Sequence, residues 1–214
     1  MDYIESNQNL HPLVNYLQDK ICFNTHWFGV ECVKNPLDFW VYQEIIHSTE
    51  PTVILEIGNW KGGSALALAN LLDIRGGNGR IIAVDIDHHR VDPRARAHPR
   101  ITWIEGDATR PDIEQQVRQQ IGAEDRVLII EDSDHSDQTV FKLLEMYNDL
   151  IRVGDYFIVE DSNCGNKPLN LGPSPGPWAG IERFLMHNPN WESDRGMEKY
   201  IITWNPTGFL RRKG

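Results

Sequence analysis

Two hydrophobic periods divide the chain. Over the first 50 residues apolar positions recur at helical spacing. Leu13, Leu17 and Ile21 fall on one face, and after Asn35-Pro36 the residues Phe39, Tyr42, Ile45 and Ile46 repeat the pattern. Thr25–Gly29 predicts a turn between the two helices, and Glu50-Pro51 ends the region. From Val53 the pattern changes to short unbroken apolar runs. Val53–Ile57 (closed by Gly58), Arg80–Asp85, Ile101–Glu105, Val127–Ile130 and Tyr156–Val159 read as strands buried on both faces. Between them Ser64–Leu72, Pro111–Ile121 and Thr139–Leu150 carry helical patterns. The final stretch differs. Ser162–Pro177 is rich in Gly, Pro and Asn and has no period, and Ile181–His187 reads as a short helix. Tyr200–Trp204 and Phe209–Arg211, joined by Asn205-Pro206-Thr207-Gly208, predict a terminal antiparallel hairpin.

Strands alternating with helices imply right-handed crossovers and a mostly parallel α/β sheet with helices on both faces. Five runs and the hairpin make seven strands. A chain of 214 residues holds one such domain and is short for two. Residues 1–50 are therefore expected as a helical lead-in or cap on a domain of residues 51–214, in one compact whole. The net charge of -10 gives an acidic surface that repels phosphate backbones, which excludes nucleic acid as a partner. There is no apolar run of about 18 residues to span a membrane. The start of the chain, with Asp2 and Glu5, lacks the basic-then-apolar pattern of a secretory signal. Cys22, Cys32 and Cys164 make neither a paired framework nor a C-x-x-C site, and read as free thiols in a reducing cytoplasm.

Open α/β sheets bind ligands beyond the carboxyl ends of their strands. After the first strand come Glu56, Gly58, Asn59, Trp60, Lys61, Gly62, Gly63 and Ser64; the glycines permit close backbone approach, and Ser64 can cap the helix that follows. After the second come Asp85 and Asp87, where a carboxylate can accept both ribose hydroxyls of a nucleoside. After the third comes Gly106-Asp107-Ala108, where the Asp can meet an adenine amino group. E-x-G, an Asp 27 residues after Gly58, then G-D-A, is the S-adenosylmethionine (SAM) pattern; the dinucleotide fingerprint G-x-G-x-x-G is broken at Gly58-Asn59-Trp60.

The fourth and fifth strands end in acid. Glu131-Asp132-Ser133-Asp134-His135-Ser136 follows one, and Glu160-Asp161-Ser162 the other. If these ends are neighbours, Asp134, Glu160 and Asp161 converge, and three carboxylates so close resist ionising together unless a cation sits among them. Oxygen ligands suit Mg²⁺, Mn²⁺ or Ca²⁺. The plainer alternative is that these acids are solvated helix caps. Asp132 points by strand alternation toward either the cofactor or a supporting role. His135, beside Asp134, is the candidate base that removes a proton from a hydroxyl acidified by the metal.

On these residues the chain resembles the cephalosporin hydroxylase/rhamnosyl O-methyltransferase family. The matching pieces are Trp27, Tyr42-Gln43-Glu44, Glu56-Ile57-Gly58, Lys61-Gly62-Gly63-Ser64, Asp132–Ser136, Val159-Glu160-Asp161, Gly172-Pro173 with Gly176-Pro177, and Glu198-Lys199 to Asn205-Pro206. The resemblance implies a Rossmann-like class I methyltransferase fold. It places SAM around Glu56, Gly58, Ser64, Asp85 and Asp107, with Lys61, Gly62, Gly63, Ala108 and Asp132 near it. It makes Asp134, Glu160 and Asp161 ligands to Mg²⁺ or Mn²⁺; Asp134, with the candidate base His135, is expected to be catalytic. The acceptor it implies is a hydroxyl of a sugar or natural-product scaffold in antibiotic or other secondary metabolism. In the distantly similar catechol methyltransferases a lysine stands three residues after the first metal Asp; here that position is Asp137.

Two further readings stay open on sequence: a hydroxylase-like tailoring protein, and a non-catalytic SAM- or metal-binding partner in a biosynthetic complex. No clear two-His-one-carboxylate iron set supports the first, and His88, His89 and His98 read as surface residues. Ser162–Pro177, leaving directly from the acidic cluster, is expected to act as a lid, and residues 1–50 offer a surface for self-association.

Overall fold

The computed structural model describes residues 10–21, 24–165, 173–200 and 202–214. In chain order the elements are α1 (Leu10–Ile21), the short pair β1 (His26–Trp27) and β2 (Val30–Glu31), α2 (Pro36–Thr49), β3 (Val53–Ile57), α3 (Gly63–Arg75), β4 (Arg80–Asp85), α4 (Pro93–Arg96), β5 (Ile101–Glu105), α5 (Pro111–Gln119), β6 (Val127–Glu131), α6 (Asp137–Tyr147), β7 (Tyr156–Val159), α7 (Pro177–His187), β8 (Trp191–Ser193) and β9 (Phe209–Arg212). The main sheet has the order β5-β4-β3-β6-β7-β9-β8. Its first five strands run parallel; β9 is antiparallel to β7 and to β8.

Side-chain alternation along β3 divides the core. Val53, Leu55 and Ile57 pack with Ile113 and Val117 of α5, Leu143, Leu144 and Tyr147 of α6, and Phe184 of α7. Ile54 faces the other way, with Leu68 and Leu72 of α3 and Val41, Tyr42, Ile45 and Ile46 of α2. Each such burial is worth about 1.5–3 kcal/mol, so four buried side chains make α2 a wall of the core. Asn35 opens α2, its Oδ1 accepting the Leu37 N–H at 3.1 Å, and Pro36 sits in the first turn where no donor is needed.

The terminal hairpin forms with a different partner from the one the pattern predicts. Phe209–Arg212 pairs with Trp191–Ser193, and among the described residues it does not pair with Tyr200 or residues 202–204. Residue 201 lies outside the described residues; the flanking segment is used elsewhere, Trp204 donating its N–H to Asp38 at 2.8 Å and Asn205 its side-chain amide to the Tyr42 hydroxyl at 2.8 Å. Between β4 and β5 the connection folds back: His88 is buried edge-on to Trp103, not on the surface. Strand order reverses between β3 and β6, and there the adjoining loops diverge and leave a crevice.

Candidate functional site

A cleft of about 660 Å³ opens at the carboxyl ends of β3, β4, β5 and β6. Its walls come from the loop after β3 (Gly58 to Ser64), the ends of β4 and β5, the loop after β6, Asp161, and the segment after β2. The central strand ends are locked together. Asp132 donates its N–H to the Ile57 carbonyl at 2.8 Å, and Glu160 its N–H to the Glu131 carbonyl at 2.8 Å. Gly58 has φ +87°, and a side chain there would collide with the Asp132 carbonyl oxygen. Glycine is required because the two strand exits touch backbone to backbone.

One half of the cleft is shaped for a nucleoside. One Asp85 oxygen accepts the N–H groups of Asn59 at 2.7 Å and Trp60 at 2.9 Å, so the carboxylate fixes the glycine loop. Asp107 holds its own turn through the Thr109 N–H at 2.8 Å. Val84, Ile86, Ala108 and Leu143 supply apolar surface between them. Gly58, Gly63, Ser64, Asp85, Asp107, Ala108 and Asp132 thus line the cleft as expected from sequence.

Three expected cofactor contacts do not line it. Glu56 is fully buried behind the loop, accepting from Asn59 Nδ2 at 3.0 Å, and burial pushes its carboxyl up to about 7. Lys61 turns away to Glu31, 2.7 Å from Oε2, while Trp60 Nε1 donates to the other oxygen of Glu31 at 2.9 Å. Lys61, and then Trp60, hold the Glu31 carboxyl below its usual range. Gly62 backs onto Trp103 and Ala95.

The other half of the cleft is acidic, in a different arrangement from the one expected. Ligand atoms of Asp132, His135 and Asp161 lie within 4.8 Å of one another. His135 Nε2 is 3.5 Å from Asp161 and 3.9 Å from Asp132. Of the expected ligands Asp134, Glu160 and Asp161, only Asp161 belongs to this group. The Asp134 carboxylate accepts the Ser136 N–H at 3.0 Å and the Thr139 hydroxyl at 2.9 Å, so it serves the start of α6. Glu160 is buried and lies 2.8 Å from the Lys34 ammonium, which also pairs with Asp132.

The electrostatics follow from burial and crowding. Burial pushes Asp161 up to about 6, although His135 draws it down. Burial disfavours the His135 imidazolium, but Asp161, Asp132 and Glu131 outweigh it and raise the group above its ordinary value. Burial and repulsion from Asp132 raise Glu160 despite Lys34. Buried Glu131 rises to about 7, its carboxylate held by the Ser133 hydroxyl and N–H. Trp60, His135 and Asp161 adopt left-handed backbone with φ +48°, +56° and +50°. Such conformations cost on the order of 1 kcal/mol or more in non-glycine residues, and three at one rim mark a site held in shape by its surroundings.

Sequence reasoning missed Glu31, Cys32, Val33 and Lys34 as lining residues. They reach the cleft because β2 packs onto the start of α3, where Gly63 leaves room for the Glu31 carbonyl. Of the expected lid, residues 166–172 lie outside the described residues; its two ends meet, Gly165 lying against Gly176. Trp178, on α7, donates Nε1–H to Glu182 at 2.9 Å.

Comparisons with known proteins give the family and the fold. The family model for rhamnosyl O-methyltransferase/CmcI matches residues 19–213. The rhamnosyl O-methyltransferase of Mycobacterium leprae is 38% identical over 192 residues, covering 88% of this chain and 83% of that protein. That of Mycobacterium tuberculosis (strain H37Rv) is 35% identical over 201 residues, 92% of this chain and 82% of the relative. A solved CmcI structure with Mg and SAM superposes with a TM-score of 0.69 at 22% identity, over 90% of this chain and 78% of that one. The fold is the Rossmann-like class I methyltransferase fold, with its mostly parallel sheet and terminal antiparallel hairpin.

Proposed function

This chain belongs to the rhamnosyl O-methyltransferase/CmcI family, and from that premise we propose that it transfers the methyl group of SAM to a sugar hydroxyl of a small glycosylated molecule, assisted by Mg²⁺ or Mn²⁺. The observation that carries the reading is one continuous cleft with the Asp85–Asp107 half at one end and the Asp132–His135–Asp161 cluster at the other. A methyl donor and an acidified acceptor need that adjacency, because positioning supplies much of the rate.

The cleft fits both groups. Its volume and the turn-fixed carboxylates of Asp85 and Asp107 suit a nucleoside, and its apolar middle suits adenine. Asp132 and Asp161 would hold the cation, because a hard ion prefers carboxylate oxygen to imidazole. When bound, the cation lowers the pKa of an acceptor hydroxyl and SAM offers the methyl electrophile. His135 receives the hydroxyl proton: its Nε2 faces the two carboxylates, and its buried Nδ1 has no hydrogen-bond partner among the described residues. Asp134 holds the turn that opens α6 through the Ser136 N–H and the Thr139 hydroxyl. Among the described residues no helix is long and apolar enough to cross a membrane.

The test is transfer of labelled methyl from SAM to a panel of rhamnosyl glycosides, with and without EDTA. The expected result is transfer that EDTA removes and Mg²⁺ restores, and that His135→Ala lowers by about 10²–10⁴-fold with SAM affinity retained. Transfer indifferent to EDTA and to Asp161→Asn refutes the metal-assisted mechanism.

A further inference from the structure

The hairpin β1–β2 forms a two-stranded sheet of its own, yet it supplies part of the cleft wall. Glu31, on β2, is where it meets the loop after β3. The Glu31 carbonyl sits against Gly63, which has no side chain to push it away. Its carboxylate reaches the other end of the same loop: Trp60 Nε1 donates to Oε1 at 2.9 Å, and the Lys61 ammonium to Oε2 at 2.7 Å. The hairpin has other pins. Arg94 donates to the Phe28 and Gly29 carbonyls at 3.0 and 3.1 Å, and Trp27 Nε1 to Asn70 at 2.8 Å, so the hairpin stays docked without that carboxylate.

Trp60 is the residue this contact governs. It lines the cleft and remains 48% exposed. Its N–H donates to Asp85 at 2.9 Å, its backbone is left-handed at φ +48°, and the Arg90 guanidinium lies 4.7 Å from its ring centroid. A large apolar ring held rigid, strained and open to the cleft is unfavourable for the empty protein, and outliers of this kind gather where a ligand is clamped. A side chain ordered before the ligand arrives spares binding the cost of ordering it.

We propose that Glu31 is a positioning residue for the cofactor: through the indole N–H it fixes the Trp60 ring on the cleft rim, so that the loop after β3 meets SAM already ordered. The inference rests on the reading that SAM occupies the Asp85 half of the cleft.

The experiment is calorimetric binding of S-adenosylhomocysteine, the demethylated product, to the whole protein without acceptor. Wild type is compared with Glu31→Ala, Glu31→Asp, Glu31→Gln, Trp60→Phe and the double variant Glu31→Ala/Trp60→Phe. Glu31→Ala is expected to bind about tenfold more weakly, the scale of one hydrogen bond to a charged acceptor. Glu31→Gln keeps the reach and an accepting oxygen, and should stay within about threefold of wild type. Glu31→Asp keeps the charge but withdraws it by one methylene, and should lose most of what Glu31→Ala loses. Because the effect passes through the indole N–H, Glu31→Ala should weaken binding less than about twofold further once Trp60 is Phe. Wild-type affinity in a folded Glu31→Ala overturns the proposal. So does Glu31→Gln as weak as Glu31→Ala, or a full tenfold loss that persists in the Trp60→Phe background. If Glu31→Ala does not fold, Glu31→Asp takes its place alone and in the double variant: weaker binding that vanishes with Trp60→Phe supports the proposal, and wild-type affinity refutes it. The cofactor reading fails separately, when wild type binds and Asp85→Ala leaves that affinity unchanged.

Discussion

The Lys34 ammonium and the Glu160 carboxylate lie 2.8 Å apart, and neither side chain is more than about 6% exposed. Stranding one member of a buried pair costs roughly 3–5 kcal/mol, and because Lys34 keeps Asp132 as a partner when Glu160 is removed, the loss falls at the low end of that range. Glu160→Ala is therefore expected to lower unfolding free energy by about 3 kcal/mol, with Glu160→Gln losing less because the amide oxygen still accepts from Lys34. Urea unfolding at neutral pH measures both. A loss within about 0.5 kcal/mol of wild type for Glu160→Ala contradicts the pairing.

Gly63 carries a different dependence. A side chain at this position would sit inside contact distance of the Glu31 carbonyl oxygen, on rigid backbone. Gly63→Ala must therefore push β2 off α3, and with it Lys34, Cys32 and Glu31 from the cleft wall. The expected result is weaker SAM binding by calorimetry together with a stability loss of about 1–3 kcal/mol from overpacking. Gly76→Ala, at a helix end with open space around it, serves as the control: its strain is local, and SAM binding stays at the wild-type level.

Asp38 provides a pH signature of the C-terminal segment. Its carboxylate accepts Asn35 Nδ2 and the Trp204 N–H, each at 2.8 Å. Burial nevertheless pushes it from 3.8 up to about 6, against these hydrogen bonds. With its pKa raised on folding, the native state holds the proton more tightly than the unfolded chain between these values. Stability attributable to this carboxyl is therefore full at low pH and falls as pH rises from about 4 to 6. At about 1.4 kcal/mol per pH unit the effect is bounded at about 3 kcal/mol. Asp38→Asn should flatten that part of the stability profile, measured by urea unfolding at pH 4 and pH 6.5. An unchanged slope places Asp38 at its ordinary value in the folded state.

The frame was legible because the apolar runs ending at Ile57, Asp85, Glu131 and Val159 are buried on both faces, which is a one-dimensional signal; the edge strand ending at Glu105 buries only Ile101 and Ile104. That Gly58, Asp85 and Asp107 line one cleft was legible too, since each follows a strand directly and the parallel order brings such ends together. What the sequence leaves open depends on direction and on distant partners. Asp132 and Asp134 are two residues apart, and only the turn before α6 decides which faces the cluster. Nothing local to Val30–Lys34 says that it docks across α3, because the reason is a glycine 29 residues beyond Lys34. Tyr200–Trp204 has strand-like composition, but Asp38 and Tyr42 capture its end.

That ambiguity between the two aspartates gives the sharpest contrast. The Asp134 carboxylate is exposed and caps the turn before α6 through Ser136 and Thr139. Asp134→Ala removes those two bonds, so it should cost no more than about 1 kcal/mol, the scale of a helix-cap loss. Mn²⁺ affinity should change less than about threefold, since no ligand atom is removed from the cluster. Asp161→Asn replaces a charged ligand atom in the cluster with a neutral amide, and should weaken Mn²⁺ by about tenfold or more, within the 10–100-fold loss common for altered metal sites. Methyl transfer at saturating SAM and limiting Mn²⁺ should follow the same order, with Asp134→Ala retaining most turnover and Asp161→Asn little. If Asp134→Ala abolishes Mn²⁺ binding while the protein remains folded, the cation is held on the α6 side of the cleft and the assignment to Asp132 and Asp161 is wrong.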